Sequence, residues 1–230
     1  MSPIESNLQH VKAGIQASIA GLREGARYPV TLIAVSKTKT PAEIREAFDA
    51  GQRDFGENYV QEAVEKMGEL KDLRRQGLTW HFIGPLQSNK ARLVAQHFDW
   101  MHSVDRLKIA HVLAAHRAGM PALNICLQVN VSGEASKSGV APDQASAMAA
   151  ELGKIDGLKL RGLMSIIENT ADENAQRAQF RMMKSLFDLL NDRGYALDTL
   201  SMGMSQDYRI AIEEGATMVR VGSAIFGARQ

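Results

Sequence analysis

Eight short apolar runs, each followed by a segment of helical periodicity, repeat along this chain, and that rhythm limits its fold more than any other feature. The runs are TLIAVSK (Thr31 to Lys37), RDFGEN, WHFIG, WMHSVD, NICLQVN, LKLRGLMSI, TLSMGMS and TMVRVG. A strand covered by helices on both sides reads as a near-continuous apolar run, because neither face is wet. Alternation with short connections implies a parallel sheet, and eight strands is the number at which such a sheet closes on itself. The expectation is one (β/α)8 barrel over residues 1–230, in which residues 1–30 form an extra N-terminal helix and lead-in. The runner-up is an open doubly wound sheet, but no G-x-G-x-x-G follows the first run, where a dinucleotide-binding fold would carry it.

Two helix starts are written in the same chemistry. Ser2, Pro3 and Glu5, and again Thr40, Pro41 and Glu43, supply a hydroxyl cap, a proline in the first turn and a reciprocating carboxylate. Gly51 ends the second helix. The fifth run leads through a polar loop (Ser132 to Val140) into a helix opened by Pro142 and ended near Gly157, and the eighth leads into a short tail, SAIFGARQ. The segment GEASKSG looks like a phosphate loop but lacks the G-x-x-x-x-G-K-[ST] order.

Charge narrows the functional classes. Lys plus Arg total 27 against 26 Asp plus Glu, so the chain lacks the basic excess that nucleic-acid backbones demand. No run approaches the ~20 apolar residues needed to cross a bilayer, and MSPIESNLQH has no basic segment leading into an apolar one. A cytoplasmic protein is expected, with neither membrane nor nucleic acid as partner. Cys126 is the single cysteine and sits in an apolar run, which predicts a buried, inert thiol. His111 and His116 are off the spacing that places two ligands on one helical face, so no metal site is expected.

In a barrel, chemistry sits where strands stop at their C-terminal ends. Lys37 stands at the end of the first run. Ser201, Gly203 and Ser205 follow the seventh, and Gly222 and Ser223 follow the eighth, which are the places where barrels often hold a phosphate. Small residues there let an anion reach backbone N–H groups, although they also make ordinary tight turns. Closure pairs the eighth strand with the first, so a phosphate held there lies within reach of Lys37. Strand alternation sets Arg220 opposite Val219 and Val221, and if the valines face the helices the guanidinium faces the interior. A buried guanidinium needs an acceptor: an anion, a ring nitrogen, or a carboxylate such as Asp54 or Glu57. An amine, an anion cradle and an inward arginine suit a phosphorylated aldehyde, with which the lysine condenses. A pyridine nitrogen facing the arginine stays unprotonated, and its ring is then a weak electron sink.

At these residues the chain closely resembles the pyridoxal phosphate homeostasis proteins, also called proline synthase co-transcribed homologues, whose fold is similar to the barrel domain of alanine racemase. The resemblance runs from about Leu32 to Arg229 and is carried by AVSKTK, FGENYVQE, WHFIGPLQSNK, RGLMSI, SMGMSQDY and MVRVGSAIFGAR. It implies a barrel of the alanine racemase N-terminal type with pyridoxal 5′-phosphate (PLP) as cofactor. Lys37 is then the covalent aldimine lysine. Ser201, Ser205, Gly222 and Ser223 lie around the phosphate, Arg220 near the pyridine nitrogen and Asn58 close to the ring. Ser223 stands where the family often has threonine, and Arg209 where a glutamate is common. His81 is read as a hydrogen-bonded core residue and left out of the site.

The function implied is PLP binding and intracellular PLP homeostasis without substantial turnover, with PLP-dependent apoenzymes as possible recipients and no catalytic residue assigned. An amino-acid racemase is the alternative. In the alanine-racemase pattern a second proton donor comes from a domain after the barrel, and only eight residues follow Gly222 here. A Schiff-base aldolase acting on a sugar phosphate is a third reading, distinguished by the lack of a chromophore. No long exposed apolar helix face is evident, so a monomer is expected.

Overall fold

The computed structural model describes residues 1–23, 28–134 and 137–227. Parts of the expected loop between Ser132 and Val140, and the end of the tail, fall outside the described residues. Helix α1 (Pro3–Gly21) leads into β1 (Thr31–Val35), α2 (Pro41–Asp49), β2 (Asp54–Glu57), α3 (Val60–Glu69) and α4 (Lys71–Arg75). Then come β3 (Thr79–Phe82), α5 (Ala91–His97), β4 (Trp100–Val104), α6 (Leu107–Ala115), β5 (Leu123–Gln128) and α7 (Ala145–Leu152). The chain continues through β6 (Leu158–Met164), α8 (Glu173–Asp192), β7 (Thr199–Met204), α9 (Tyr208–Glu213), β8 (Met218–Val221) and α10 (Ser223–Phe226). The strands form a closed, all-parallel barrel in sequence order, sealed by β1 against β8 with Ile33 opposite Arg220.

Both capping boxes form. Ser2 Oγ accepts from the Glu5 N–H while Glu5 accepts from the Ser2 N–H, and Thr40 and Glu43 do the same for α2. Helix α1 buries Leu8, Val11 and Ile15 on one face and packs on α9 and α10, which makes it part of the helical ring. The main core lies between strands and helices, from Phe55, Trp80 and Phe82 to Phe180 and Ile212. A smaller cluster of Trp100, Cys126 and Met164 fills part of the barrel interior with Met218.

The structure corrects several boundaries. Strand β1 stops at Val35, so Lys37 lies two residues beyond its end in a turn. The backbone leaves the ladder because Lys66 Nζ takes the Ser36 carbonyl at 2.8 Å and Thr38 adopts a left-handed φ of 63°. Ser201 lies inside β7 and not in the loop after it. The helix expected from Pro142 to near Gly157 begins with a single 3₁₀ turn and ends at Leu152, where Gly153 takes the C-cap. The tail after β8 opens as a short helix, α10, and α4 has no counterpart in the sequence reading. Among the described residues, no helix is long and apolar enough to cross a membrane.

Candidate functional site

A cavity of about 280 Å³ opens at the C-terminal end of the barrel. Lys37, Asn58, Ser205, Arg220, Gly222 and Ser223 all border it, and Val35, Ile83, Ile166 and Met204 give it apolar walls. Its size falls at the lower edge of the roughly 300–1,000 Å³ usual for small-molecule sites. The polar groups come from the turn after β1, the end of β2, the loop after β7 and the end of β8, which only barrel closure unites.

The turn carrying Lys37 is clamped from behind. Ser36 Oγ donates to Glu57 Oε1 at 2.6 Å, and Lys66 Nζ reaches Glu57 Oε1 at 3.0 Å, Glu62 Oε1 and the Ser36 carbonyl. Glu62 also accepts from the Thr38 N–H at 2.6 Å, which holds the left-handed residue beside the lysine. Glu57 is fully buried; burial pushes its carboxyl above the ordinary range, against the pull of the Lys66 charge and the Ser36 hydroxyl.

Arg220 faces the interior, as the alternation with Val219 and Val221 predicts. It donates to Ser201 Oγ at 2.6 Å and to the Ser165 carbonyl at 2.8 Å, and pairs with neither Asp54 nor Glu57. Burial lowers its pKa to about 10, with Asp207 acting in the opposite direction, so it remains a cation at neutral pH.

Ser201 is the one expected ligand residue that the structure does not bring to the cavity wall. Its hydroxyl is fully buried and committed to Arg220 and His102. Ser205 does reach the cavity, and its Oγ accepts from the Gly222 N–H at 3.4 Å, which ties the two loops together. A Cβ on Gly222 would stand 3.1 Å from Val35, so the glycine lets the β8 end pass close to β1. Gly203 has a different reason. At φ 92° its missing Cβ makes room for Ala211 of α9, not for an anion. Arg209 lies along the outer side of α9 with its guanidinium over the Tyr208 ring, away from the cavity wall.

Asn58 brings an unsatisfied polar atom to the residues that border the cavity. Its Oδ1 is buried without a hydrogen-bond partner, an arrangement that costs about 1–3 kcal/mol unless something fills it. Its backbone is fixed by Gly84, where a Cβ would meet the Asn58 carbonyl at 2.5 Å.

His81 proves to be a hydrogen-bonded interior residue, between Asp54 and His102. Sequence reasoning missed His102 and the cluster of Glu57, Glu62 and Lys66. For His102, as for His81, the available signal was a polar residue at an inward position of a strand, visible in WHF and MHS. Among the described residues, no group of three or more His, Cys, Asp or Glu is placed to hold a metal ion.

The sequence pattern of the "Alanine racemase, N-terminal domain" family matches residues 12–230. A Pseudomonas aeruginosa protein named pyridoxal phosphate homeostasis protein is 57% identical, over 100% of this chain and 97% of that protein. One of the same name from Escherichia coli K12 is 50% identical, over 100% of this chain and 98% of its own length. Among solved structures, PipY of Synechococcus elongatus with PLP bound superposes with a TM-score of 0.84 at 39% identity, covering 97% of this chain and 100% of that one.

Proposed function

The chain belongs to the pyridoxal phosphate homeostasis protein family, within the reach of the alanine racemase N-terminal domain pattern, and from that premise we propose that it binds PLP in the cavity beside Lys37 and holds it there as an intracellular reserve. The observation that carries this reading is the convergence of an amine, two serine-bearing loops, a buried cation and an orphaned amide oxygen on one cavity.

Each residue has a role that follows from its chemistry. Lys37 supplies the amine for a Schiff base with the aldehyde. Ser205 and Ser223 offer hydroxyls to the phosphate, and Gly222 keeps side-chain bulk away from it. Asn58, its backbone packed against Gly84, presents its unpartnered side-chain oxygen to a donor on the ligand. Arg220 aims a permanent donor at the ring nitrogen. PLP supplies an electron sink to amino-acid chemistry, a stronger one when that nitrogen is protonated. A cation that only donates hydrogen bonds disfavours that proton, so this site favours retention over turnover. On this reading the protein works in the cytoplasm and releases PLP to enzymes that require it.

Purified protein loaded with PLP should be yellow. Borohydride reduction and peptide mapping should place the phosphopyridoxyl group on Lys37, and Lys37→Ala should lose the colour while keeping the far-UV spectrum of the fold. A label on another lysine overturns the assignment. Interconversion of L- and D-amino acids at enzymatic rates would replace it with the racemase reading. A colourless protein that traps a sugar phosphate would replace it with an aldolase.

A further inference from the structure

The barrel interior contains a hydrogen-bonded chain that binding alone does not require. Asp54 Oδ1 lies 3.0 Å from His81 Nε2, His81 Nδ1 lies 3.0 Å from His102 Nε2, and His102 Nδ1 lies 2.9 Å from Ser201 Oγ. Ser201 Oγ then takes Arg220 Nη1 at 2.6 Å, and Arg220 borders the cavity. His81, His102 and Ser201 are fully buried, whereas the Asp54 side chain is 28% exposed. The His81 ring also stacks on Trp100 at 16°, which limits its rotation.

We propose that Asp54, His81, His102 and Ser201 are positioning residues that form a one-directional relay, fixing Arg220 as the donor presented to the cofactor ring. The direction follows from both ends. Asp54 as a carboxylate can only accept, so His81 carries its proton on Nε2 and leaves Nδ1 bare. His102 must then donate from Nε2, and its own Nδ1 is left to accept the Ser201 hydroxyl. From the other end, Arg220 can only donate, so the Ser201 lone pairs face Arg220 and its one proton turns to His102. With the opposite tautomer at His102, two donors would converge on Ser201 and its hydroxyl proton would be left without either partner in a dry interior. Burial, followed by the nearby His81 and Arg220, holds the His102 imidazole neutral, as the relay needs. Ser201 therefore acts on the site through Arg220, not through the phosphate.

The proposal rests on the PLP reading for its target, but its direction can be tested without PLP. In ¹⁵N spectra of the full-length protein free of cofactor, both imidazoles should carry the proton on Nε2, and they should keep it there in Asp54→Ala, because Arg220 and Ser201 still set the direction from the other end. His102→Leu should weaken PLP binding about 3- to 10-fold, the equivalent of one net hydrogen bond, and move the pH midpoint of the bound cofactor's absorption. His102→Gln, whose amide accepts at one atom and donates at the other, should restore both. A proton on Nδ1 of either imidazole in the wild-type protein overturns the relay. So does a folded His102→Leu protein with unchanged affinity and midpoint. Should that variant fail to fold, Asp54→Ala decides from the exposed end: it removes the last acceptor of the relay, and an unchanged midpoint of the bound cofactor's absorption overturns the proposal. A wild-type protein that takes up no PLP removes the functional reading instead, and the tautomers report separately.

Discussion

Individual residues here are chosen by what surrounds them more than by their type. Gly203 illustrates this: at φ 92°, and with Ala211 Cβ 2.6 Å from where its own Cβ would stand, it has both a backbone and a packing reason to be glycine. Gly203→Ala should cost about 1–3 kcal/mol. In a chain of this size that lowers Tm by roughly 2–12 °C, measurable by calorimetry against the wild type. Cys126 illustrates the same rule for reactivity. Burial pushes its thiol up to about 12, with the charges of Arg220 and Arg161 pulling the other way. Iodoacetamide at pH 8 should leave native protein unmodified and alkylate one thiol per chain after unfolding in urea.

At the scale of elements, the turn after β1 depends on ionic groups delivered by α3. Lys66 and Glu57 form an ion pair with side-chain exposures of 6% and 0%, so removing one partner strands a buried charge. Lys66→Met should destabilise the protein by about 3–5 kcal/mol at neutral pH, read from urea midpoints. The pH dependence has a definite sign. Burial raises the folded-state pKa of Glu57, and loss of the lysine raises it further. The penalty is therefore felt above the raised value and fades as pH falls to the ordinary carboxylate value near ~4.3, where Glu57 is increasingly protonated in folded and unfolded chains alike. A deficit as large at pH 4 as at pH 7 contradicts this account. Because Ser36 and Thr38 hang on the same cluster, PLP binding should weaken in the variant as well. The capping boxes of α1 and α2 were readable in the sequence because both partners lie within three residues. The clamp was not, since Ser36, Glu57 and Lys66 meet only after two βα units have packed.

For the whole molecule, closure of β8 on β1 is the decisive event, because it brings Arg220 and the two serine loops to the side where Lys37 leaves the sheet. The large exposed apolar side chains are spread over the surface, with only Met182 and Leu189 sharing a helix, α8, and we expect a monomer. Small-angle scattering should give a radius of gyration of about 17 Å, and a value independent of concentration. A dimer-sized particle at micromolar concentration contradicts it. The strand–helix rhythm, the two capped helix starts, the placing of Arg220 on the face opposite its flanking valines and that of Lys37 near the C-terminal end of the first strand were determined by the sequence alone. They rest on period, capping and alternation, which are local energies repeated along the chain. Only the tertiary structure decided that Ser201 serves Arg220, that Gly203 serves α9, and that His81 and His102 join across the interior. The partner of a buried polar group depends on which strands become neighbours and with what stagger, and that is settled by closing the barrel, an interaction between residues as far apart in sequence as Ile33 and Arg220.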